Sequence, residues 1–450
     1  MKELTKGKPF KTILIFAIPL ILANILSQTY NLVDLIIAGK VIGEDALSAT
    51  GCSSTFIQFI SSIFWGFGVA LSTIVGIYFG QKNQRNIVLS IKTSLIFITI
   101  VMFFICLFCF LFSKQILILL GVDKQIFSDS NSYFKLFMIA LFFQSLTYQM
   151  TCILQSIGNS KYPLLLTAIS GLSNLFLNIL FVIVIPFGVK GLAYATIISS
   201  LIAFIFLTIK IRKTIFEFNG KFNLEFSKEI LFEILHLAFP CILQQCSLYI
   251  SSVVVQPLIN KMGKSVSAGF SIAMNINLLF NAIYHGISRA VATYTSQSKG
   301  AKLYKNYSKG IKIGIIQQII LVTPLLILCF IFPDFIVSIF LKNNDKSCIE
   351  YAKQYIYVCL PFVFFVAYGN LMHSFYKSIE ATKSVLLSTT IFSISRIILS
   401  YVIPNKDLIF SIYLALSLAW VIESIVLTII YFSKLWNKDR FALTNSSKAP

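Results

Sequence analysis

The stretch of sequence that decides the fold class covers residues 88–112 and reads VLSIKTSLIFITIVMFFICLFCFLF, with Lys92 as its single charged residue. A helix needs about 20 apolar residues to cross a bilayer, whereas a strand of a membrane barrel needs only about 10. Runs of similar length recur along the chain, which is 57% hydrophobic and 12% charged. A soluble domain carries about 25% charge. The sequence therefore predicts an all-α integral membrane protein and excludes a soluble enzyme, a coiled coil and a disordered chain.

Breaks of charged residues, glycine, proline and asparagine divide the 450 residues into twelve predicted transmembrane helices. Their approximate limits are 13–37, 47–79, 88–112, 132–156, 162–185, 189–209, 230–258, 266–296, 311–332, 351–376, 384–403 and 408–432. An even number of spans places both termini on one side of the membrane. Most lysines and arginines fall in loops on that same side, which predicts a multi-pass cell-membrane protein with both termini in the cytoplasm.

The remaining composition predicts neither a nucleic-acid partner nor a metal centre. The net charge of +20 is explained by the basic cytoplasmic loops, and no basic run is interleaved with aromatic residues. Nine cysteines, of which Cys106 and Cys109 form a lone CxxC pair inside an apolar run, and only three histidines give no expected cofactor or His-based metal site. The first apolar run lacks a small-residue cleavage site, so we expect a retained helix and not a signal peptide. The expected partners are the lipid bilayer and small molecules, and a monomer suffices.

An internal repeat relates the two halves of the chain. Ala17-Ile18-Pro19 recurs as Ala238-Phe239-Pro240, 221 positions later, and a series of later residues recurs 220 positions on, including Gly66 as Gly286. The repeat predicts two pseudo-symmetric six-helix lobes of equal orientation, with residues 1–210 forming the N-terminal lobe and residues 230–450 the C-terminal lobe. Residues 211–229 are the predicted cytoplasmic linker. Parallel repeats of this kind are typical of transporters.

Polar residues within the first half point to an ion site. Asp34 is the only acid of the first span, and Asn174 and Asn178 lie one helical turn apart on the fifth. Thr196 lies near the start of the sixth span. At about 1.5 Å per residue all four fall in the outer half of the membrane. A carboxylate, two amides and a hydroxyl are oxygen ligands suited to Na⁺ or to a protonatable aspartate.

Several alternatives stay open at this point. Asp34 is also explained as an interfacial residue, and the two asparagines as helix–helix hydrogen bonds. Pro19 either bends the first helix permanently or acts as a hinge between two states. Glu423 and Arg396 are expected to form a structural ion pair or to line the cavity. Candidate substrate-cavity residues are Tyr30, Tyr148 and Gln244.

Five motifs recur in a characteristic order along the chain: QTYNLVD at 28–34, GFG at 66–68 through GQ at 80–81, IGNSKYP at 157–163, GVKGLAYAT at 188–196 and TYTSQ at 293–297. Their order and spacing resemble the multidrug and toxic compound extrusion (MATE) family over residues 5–435. The resemblance implies an antiporter that expels organic, often cationic, compounds in exchange for Na⁺ or H⁺. It also implies that Asp34 is the central coupling residue, that Asn174, Asn178 and Thr196 complete its cation site, and that the first helix bends at Pro19.

The second half departs from the family pattern. Some members carry acids on spans 7 and 10, where this sequence has Gln244 and Gln245 and, on span 10, no acid before Glu380. A carboxylate site in the C-terminal lobe is therefore not expected unless Glu423 replaces it. The sequence does not decide this point, the natural substrate, or the choice between Na⁺ and H⁺.

The expected function is a secondary active drug antiporter that works by alternating access and is not an enzyme. No GxSxG, Walker A or HExxH motif is present. The alternative is a flippase for lipid-linked oligosaccharides or cell-wall precursors built on a related two-lobe fold. The scarcity of lysine and arginine in mid-membrane positions favours the drug exporter.

Overall fold

The computed structural model describes residues 3–220, 223, 225–338, 346–403 and 408–436, and within these ranges the chain is helical with no β-strand. The helices are α1 (Pro9–Ile37), α2 (Glu44–Gly80), α3 (Gln84–Leu111), α4 (Ser113–Leu119), α5 (Phe127–Ser156), α6 (Lys161–Asn178), α7 (Val189–Glu217), α8 (Lys228–Asn260), α9 (Lys264–Gly300), α10 (Asn306–Ile331), α11 (Pro333–Ser338), α12 (Lys346–Val358), α13 (Val363–Ser378), α14 (Thr382–Val402) and α15 (Leu408–Phe432).

Among the described residues, twelve segments are long and apolar enough to cross a membrane, and they coincide with the twelve predicted spans. The tenth is not one helix, because a 3₁₀ turn at Leu360–Phe362 separates α12 from α13. Pro361 lies in this turn, where its missing N–H removes one helical hydrogen bond and its ring crowds the preceding turn. The chain is therefore a multi-pass, all-α membrane protein.

Two short helices extend the internal repeat. α4 follows the third span and α11 follows the ninth, and their first residues, Ser113 and Pro333, are 220 positions apart. The apolar periodicity did not predict either helix, since each is too short to cross a bilayer. Their equivalent positions support the duplication independently of the motifs.

The chain forms two compact units whose boundaries lie inside helices. The first unit contains Leu22–Ile242, and the second contains Leu4–Ile21 together with the chain from Leu243 onwards. α1 and α8 are thus each divided two residues after their prolines, Pro19 and Pro240. The predicted lobes, 1–210 and 230–450, differ from these units because each unit includes an arm from the other half of the sequence.

Each arm packs against a glycine of its own unit, and the two glycines occupy equivalent positions of the internal repeat. In the first unit, a Cβ atom at Gly66 would lie 2.6 Å from the Ile242 side chain and 2.7 Å from its backbone nitrogen. In the second unit, a Cβ atom at Gly286 would lie 2.5 Å from the Ile21 side chain and 2.9 Å from its backbone nitrogen. Only glycine permits these backbones to approach so closely, as at many contacts between membrane helices.

The segment between α7 and α8 is shorter than the predicted linker, because α7 continues to Glu217 and α8 begins at Lys228. The Lys92 ammonium on α3 donates to Asn223 Oδ1 at 2.6 Å and lies 3.2 Å from Glu225. Hydrogen bonds from Asn223 and Lys92 lower the pKa of the exposed Glu225 carboxyl. Residues 223 and 225 are therefore anchored to the first unit by a buried lysine.

Candidate functional site

The candidate site lies where α1 and α6 end in the first unit. Asp34 is on the last turn of α1, and Asn178 is the last residue of α6. Each helix passes directly into a π-helical segment, Ala38–Ile42 after α1 and Ile179–Val184 after α6. Such π segments occur frequently at functional sites, since the wider turn redirects the chain and its side chains. The sequence pattern did not predict them.

The Asn178 amide connects the acid to the second asparagine. Its Nδ2 donates to Asp34 Oδ1 at 2.6 Å and to Asn174 Oδ1 at 3.0 Å. Asn178 is fully buried and Asn174 nearly so, whereas Asp34 is half-buried. These contacts join three residues that sequence spacing placed at one depth, and they orient the Asn178 amide with its nitrogen toward the carboxylate.

One buried polar atom of this cluster lacks a hydrogen-bond partner among the described residues. Within the described residues Asn178 Oδ1 is buried and has no hydrogen-bond partner. Because both N–H groups of Asn178 already donate, this oxygen can be satisfied only by a donor or a cation. A buried carboxylate is also costly in an apolar environment unless it is protonated or paired. The arrangement is therefore chemically suited to take up a proton or a small monovalent cation.

The fourth predicted ligand is oriented differently. The Thr196 hydroxyl donates to the Leu192 carbonyl at 2.9 Å within α7 and makes no described hydrogen bond to the other three residues. Ser199, one turn further along α7, accepts from Asn174 Nδ2 at 3.5 Å. Tyr133 on α5 lies close enough to Asp34 to interact with it electrostatically. Sequence reasoning missed Ser199 and Tyr133 because neither residue type is unusual in a membrane helix.

Comparison with known proteins identifies the family. The MatE family model matches residues 19–181 and 240–402, which together are well over half of the chain. The chain belongs to the MATE family of membrane transporters. The two matched segments are separated by 221 positions, the same separation as Pro19 and Pro240. The duplicated unit of the sequence is therefore the family unit.

Individual relatives agree with this assignment. The chain is 26% identical over 356 residues to "Probable multidrug resistance protein YoeA" of Bacillus subtilis, covering 77% of each protein. It is 22% identical over 337 residues to the "FAD transporter" of Shewanella oneidensis, covering 73% of each. A crystal structure of MATE in complex with MaD3S has the same fold, with a TM-score of 0.85, 19% identity and 99% coverage of both chains. The family thus includes proteins named for drugs and for other small molecules.

The other predicted residues of this MATE chain have diverse surroundings. In the first unit, Tyr30 donates to the Ala168 carbonyl at 3.5 Å, and its ring covers Gly171 so closely that a Cβ atom there would overlap it. Tyr148 on α5 packs edge-to-face against Phe64 at 5.8 Å. Neither residue contacts Asp34 through a described hydrogen bond.

Pro19 and Gln244 belong to the second unit. Pro19 is buried within α1, which continues through it as a helix. Gln244 on α8 lies 3.4 Å from His373. This contact gives Gln244 a partner that the sequence did not predict.

The expected pair of Arg396 and Glu423 is not formed. Arg396 donates to Ser252 at 3.0 Å, and Glu423 lies 3.4 Å from His373. This expectation was wrong because both residues were located only by depth along their helices, which does not give the direction of a side chain. His373 belongs to a buried polar cluster with Gln244, Ser388 and Glu423.

The second repeat carries different side chains at the positions of the ion site. Aligning SIGNSK at 156–161 with SIEATK at 378–383 places Arg396 at the position of Asn174 and Ser400 at that of Asn178. The proline alignment places Val255 at the position of Asp34. A valine and an arginine do not attract a cation, so the second repeat has no copy of the candidate site.

Proposed function

We propose that this MATE transporter is a secondary antiporter that exports organic, often cationic, compounds in exchange for H⁺ or Na⁺. The observation that carries the proposal is the half-buried Asp34 carboxylate held at 2.6 Å by a buried amide whose own oxygen, Asn178 Oδ1, is left unsatisfied. Proton or cation uptake supplies what this cluster lacks. An organic cation can bind the same carboxylate, so substrate and coupling ion compete for it.

Competition at one carboxylate is sufficient for exchange. A ligand shifts a conformational equilibrium only through its different affinity for the two states. Coupling-ion binding from outside stabilises a conformation with lower substrate affinity, and the substrate leaves outward. Moving one elementary charge through 100 mV supplies about 2.3 kcal/mol. An ion gradient is therefore an adequate energy source without a nucleotide site in this chain.

Efflux of a fluorescent cation tests the role of Asp34. Cells loaded with ethidium and expressing the protein are expected to lose fluorescence, and Asp34→Asn is expected to abolish this efflux at equal surface expression. Asp129→Asn is the matched control, since Asp129 is exposed in the first turn of α5. Efflux by Asp34→Asn at the level of the unmodified protein would remove Asp34 from the mechanism.

The identity of the coupling ion requires a second experiment. Proteoliposomes with an imposed Na⁺ gradient, and others with an imposed pH gradient, are compared for accumulation of the same dye. The gradient that drives accumulation identifies the ion, and loss of that response in Asn178→Ala assigns it to this cluster. Absence of a response to either gradient would overturn ion-coupled antiport.

The membrane orientation and the oligomeric state are also part of the proposed function. Both termini are proposed to lie in the cytoplasm, because the basic loops share that side, and a monomer is proposed to be the transporting unit. Impermeant labelling of single cysteines introduced at the exposed Lys124 and at Ser227 tests the orientation in intact cells. Labelling is expected at position 124 and not at position 227, and the reverse pattern would invert the topology.

A further inference from the structure

Arg396 is the charged side chain of α14 beyond its first turn, and the proposed antiport does not use it. It lies about 21 Å along the helix from Thr382, well inside the membrane span. The guanidinium donates from Nη1 to Ser252 Oγ on α8 at 3.0 Å. The side chain is partly exposed, so a ligand can reach it. Because a guanidinium has five N–H donors, one described hydrogen bond leaves four for a ligand.

The described acids of the second unit do not pair with this guanidinium. Three of them have a lysine or histidine partner, namely Asp334 with Lys353 at 3.0 Å, Glu423 with His373 at 3.4 Å, and Glu380 with Lys299. The fourth, Glu350, is exposed on α12 and interacts with Lys353. A charge within a membrane-spanning helix is costly unless it is paired. An anion from outside the described part of the unit is therefore the missing partner of Arg396.

Exposed polar side chains lead along α8 from its last residue to the guanidinium. Ser252, Gln256 and Asn260 are each four residues apart, so they share one face of the helix, and all three are exposed. Gln256 Nε2 donates to Asn260 Oδ1 at 2.9 Å. Asn260 ends the helix, about 12 Å along the axis from Ser252. Lipid tails offer no hydrogen bonds, so this face of α8 is suited to a polar ligand and its water.

Neutral contacts hold the two helices on either side of the guanidinium. The Ser247 hydroxyl donates to Ser393 Oγ at 3.0 Å, and the Tyr401 hydroxyl donates to the Val254 carbonyl at 3.4 Å. Cys359, directly before the 3₁₀ turn of the tenth span, is close enough to the guanidinium to interact with it electrostatically. Its thiol donates to a backbone carbonyl at 3.4 Å and is therefore protonated. These contacts fix the position of the guanidinium without neutralising it.

We propose that Arg396 binds the oxyanion, a carboxylate or a phosphate, of an amphipathic organic molecule. The planar fork of a guanidinium donates two parallel hydrogen bonds to such a group. Ser252 positions the fork, since its hydroxyl donates to the Leu248 carbonyl at 3.2 Å and leaves its oxygen to accept from Arg396. The site extends the ligands of this protein from organic cations to zwitterions and amphipathic anions. That a compound bound here is also exported rests on the proposed antiport.

Binding of two matched dyes to the purified protein in neutral detergent tests the site. Tetramethylrhodamine carries a carboxylate, and its methyl ester carries the same cationic ring without that negative charge. The ratio of their dissociation constants therefore isolates the contribution of the oxyanion. Arg396→Gln is expected to reduce the preference for the acid over the ester about 10–100-fold, the effect of losing a hydrogen bond to a charged group. An unchanged ratio in folded Arg396→Gln would overturn the proposal.

A second pair of variants tests the site while retaining the arginine. The carboxylate introduced by Ser252→Asp pairs with the guanidinium and replaces the ligand, so the preference for the acid is expected to be lost. Ser252→Asn is the matched control, since its side chain has nearly the same size and no charge, and it is expected to retain most of the preference. Equal ratios in these two variants would contradict the proposal, and the comparison applies where Arg396→Gln fails to fold.

Nanodiscs distinguish a soluble compound from a membrane lipid as the source of the oxyanion. The acid-to-ester ratio is compared in phosphatidylcholine and in phosphatidylglycerol, with the unmodified protein and with Arg396→Gln. The effect of phosphatidylglycerol is expected to be the same in both proteins. Competition by phosphatidylglycerol that disappears in Arg396→Gln would assign the site to a lipid headgroup and overturn a site for transported compounds.

Transport of the same dyes separates this inference from the proposed antiport. If the acid-to-ester ratio of binding depends on Arg396 but neither dye is driven by an ion gradient, the oxyanion site stands and the antiport fails. If a gradient drives both dyes and Asp34→Asn stops them, while Arg396→Gln leaves the acid-to-ester ratio of binding and transport unchanged, the antiport stands and the oxyanion site fails.

Discussion

The ends of α1 and α6 differ chemically from the ends of α8 and α14, although the two pairs of helices are copies. The first pair carries Asp34, Asn174 and Asn178, and the second carries Val255, Arg396 and Ser400 at the aligned positions. The backbone features are shared, since both copies have a proline, a divided helix and a glycine contact. Duplication has thus preserved the framework, whereas the carboxylate and the two amides of the candidate site occur in one copy.

The largest expected effect comes from giving the first copy the residue of the second. Asn174→Arg places a guanidinium beside the amide that holds Asp34, where its charge pairs with the carboxylate and excludes the coupling ion. Ethidium efflux from loaded cells is expected to fall to background at equal surface expression. The reverse change, Arg396→Asn, removes one hydrogen bond to Ser252 and is expected to retain most efflux. Substantial efflux by Asn174→Arg would show that the comparison does not identify the ion site.

A smaller effect is expected from removing the amide alone. Asn178→Ala deletes the donor to Asp34, and a hydrogen bond to a charged group contributes about 1.5–3 kcal/mol. The apparent affinity for the coupling ion in proteoliposomes is therefore expected to change about 10–100-fold. Asn370→Ala is the control, because its side-chain amide donates within its own helix, to the Val366 carbonyl. Equal effects of the two variants would mean that Asn178 acts on stability and not on the ion.

The shared framework predicts equal costs in both copies. Gly66→Ala and Gly286→Ala each force a methyl group into the backbone of Ile242 or Ile21, and such overpacking costs about 1–3 kcal/mol. Gly51→Ala is the control, since a Cβ atom at Gly51 meets nothing within 4 Å. Denaturation of the purified proteins in detergent measures the three variants. A cost confined to one of the two glycines would break the equivalence of the copies.

The smallest expected effect concerns the cluster found only in the second unit. Ser388→Ala removes the acceptor of His373 Nε2–H, a neutral hydrogen bond that contributes about 0.5–1.5 kcal/mol. A modest loss of stability is expected in the same denaturation experiment. Thr390→Ala is the control on the same helix, because its hydroxyl donates to the Leu386 carbonyl one turn earlier. A smaller loss for Ser388→Ala than for Thr390→Ala would argue against a stabilising hydrogen bond between His373 and Ser388.

The fold could be predicted because its determinants are local. Apolar length specifies a membrane-spanning helix, and the repeated proline and glycine positions specify the duplication. Asp34, Asn174 and Asn178 could be grouped for a similar reason, since helical rise converts sequence position into depth. Apolar length does not predict the short helices α4 and α11, because neither is long enough to cross a membrane. It also does not predict the division of the tenth span at Pro361, because the residues on both sides of the turn are apolar.

Contacts that depend on side-chain direction could not be predicted. Depth alone suggested that Glu423 pairs with Arg396, yet the crossing of α13 and α15 brings Glu423 to His373. Depth in the membrane also led to the prediction that Thr196 is a ligand of the ion site. Its hydroxyl instead donates to its own helix, and Ser199 contacts Asn174. The choice between such neighbours depends on helix rotation, which an apolar segment surrounded by lipid does not encode clearly.

The exchanged arms also affect how the protein is made. Residues 4–21 belong to the second unit, but the ribosome synthesises them before any part of residues 243–436. The amino-terminal arm therefore lacks its final partners until Gly286, Gln297 and Gln317 have been synthesised. The first unit has a shorter delay, since its arm ends at Ile242. Assembly of the second unit consequently begins only after segments from both halves of the chain have been synthesised.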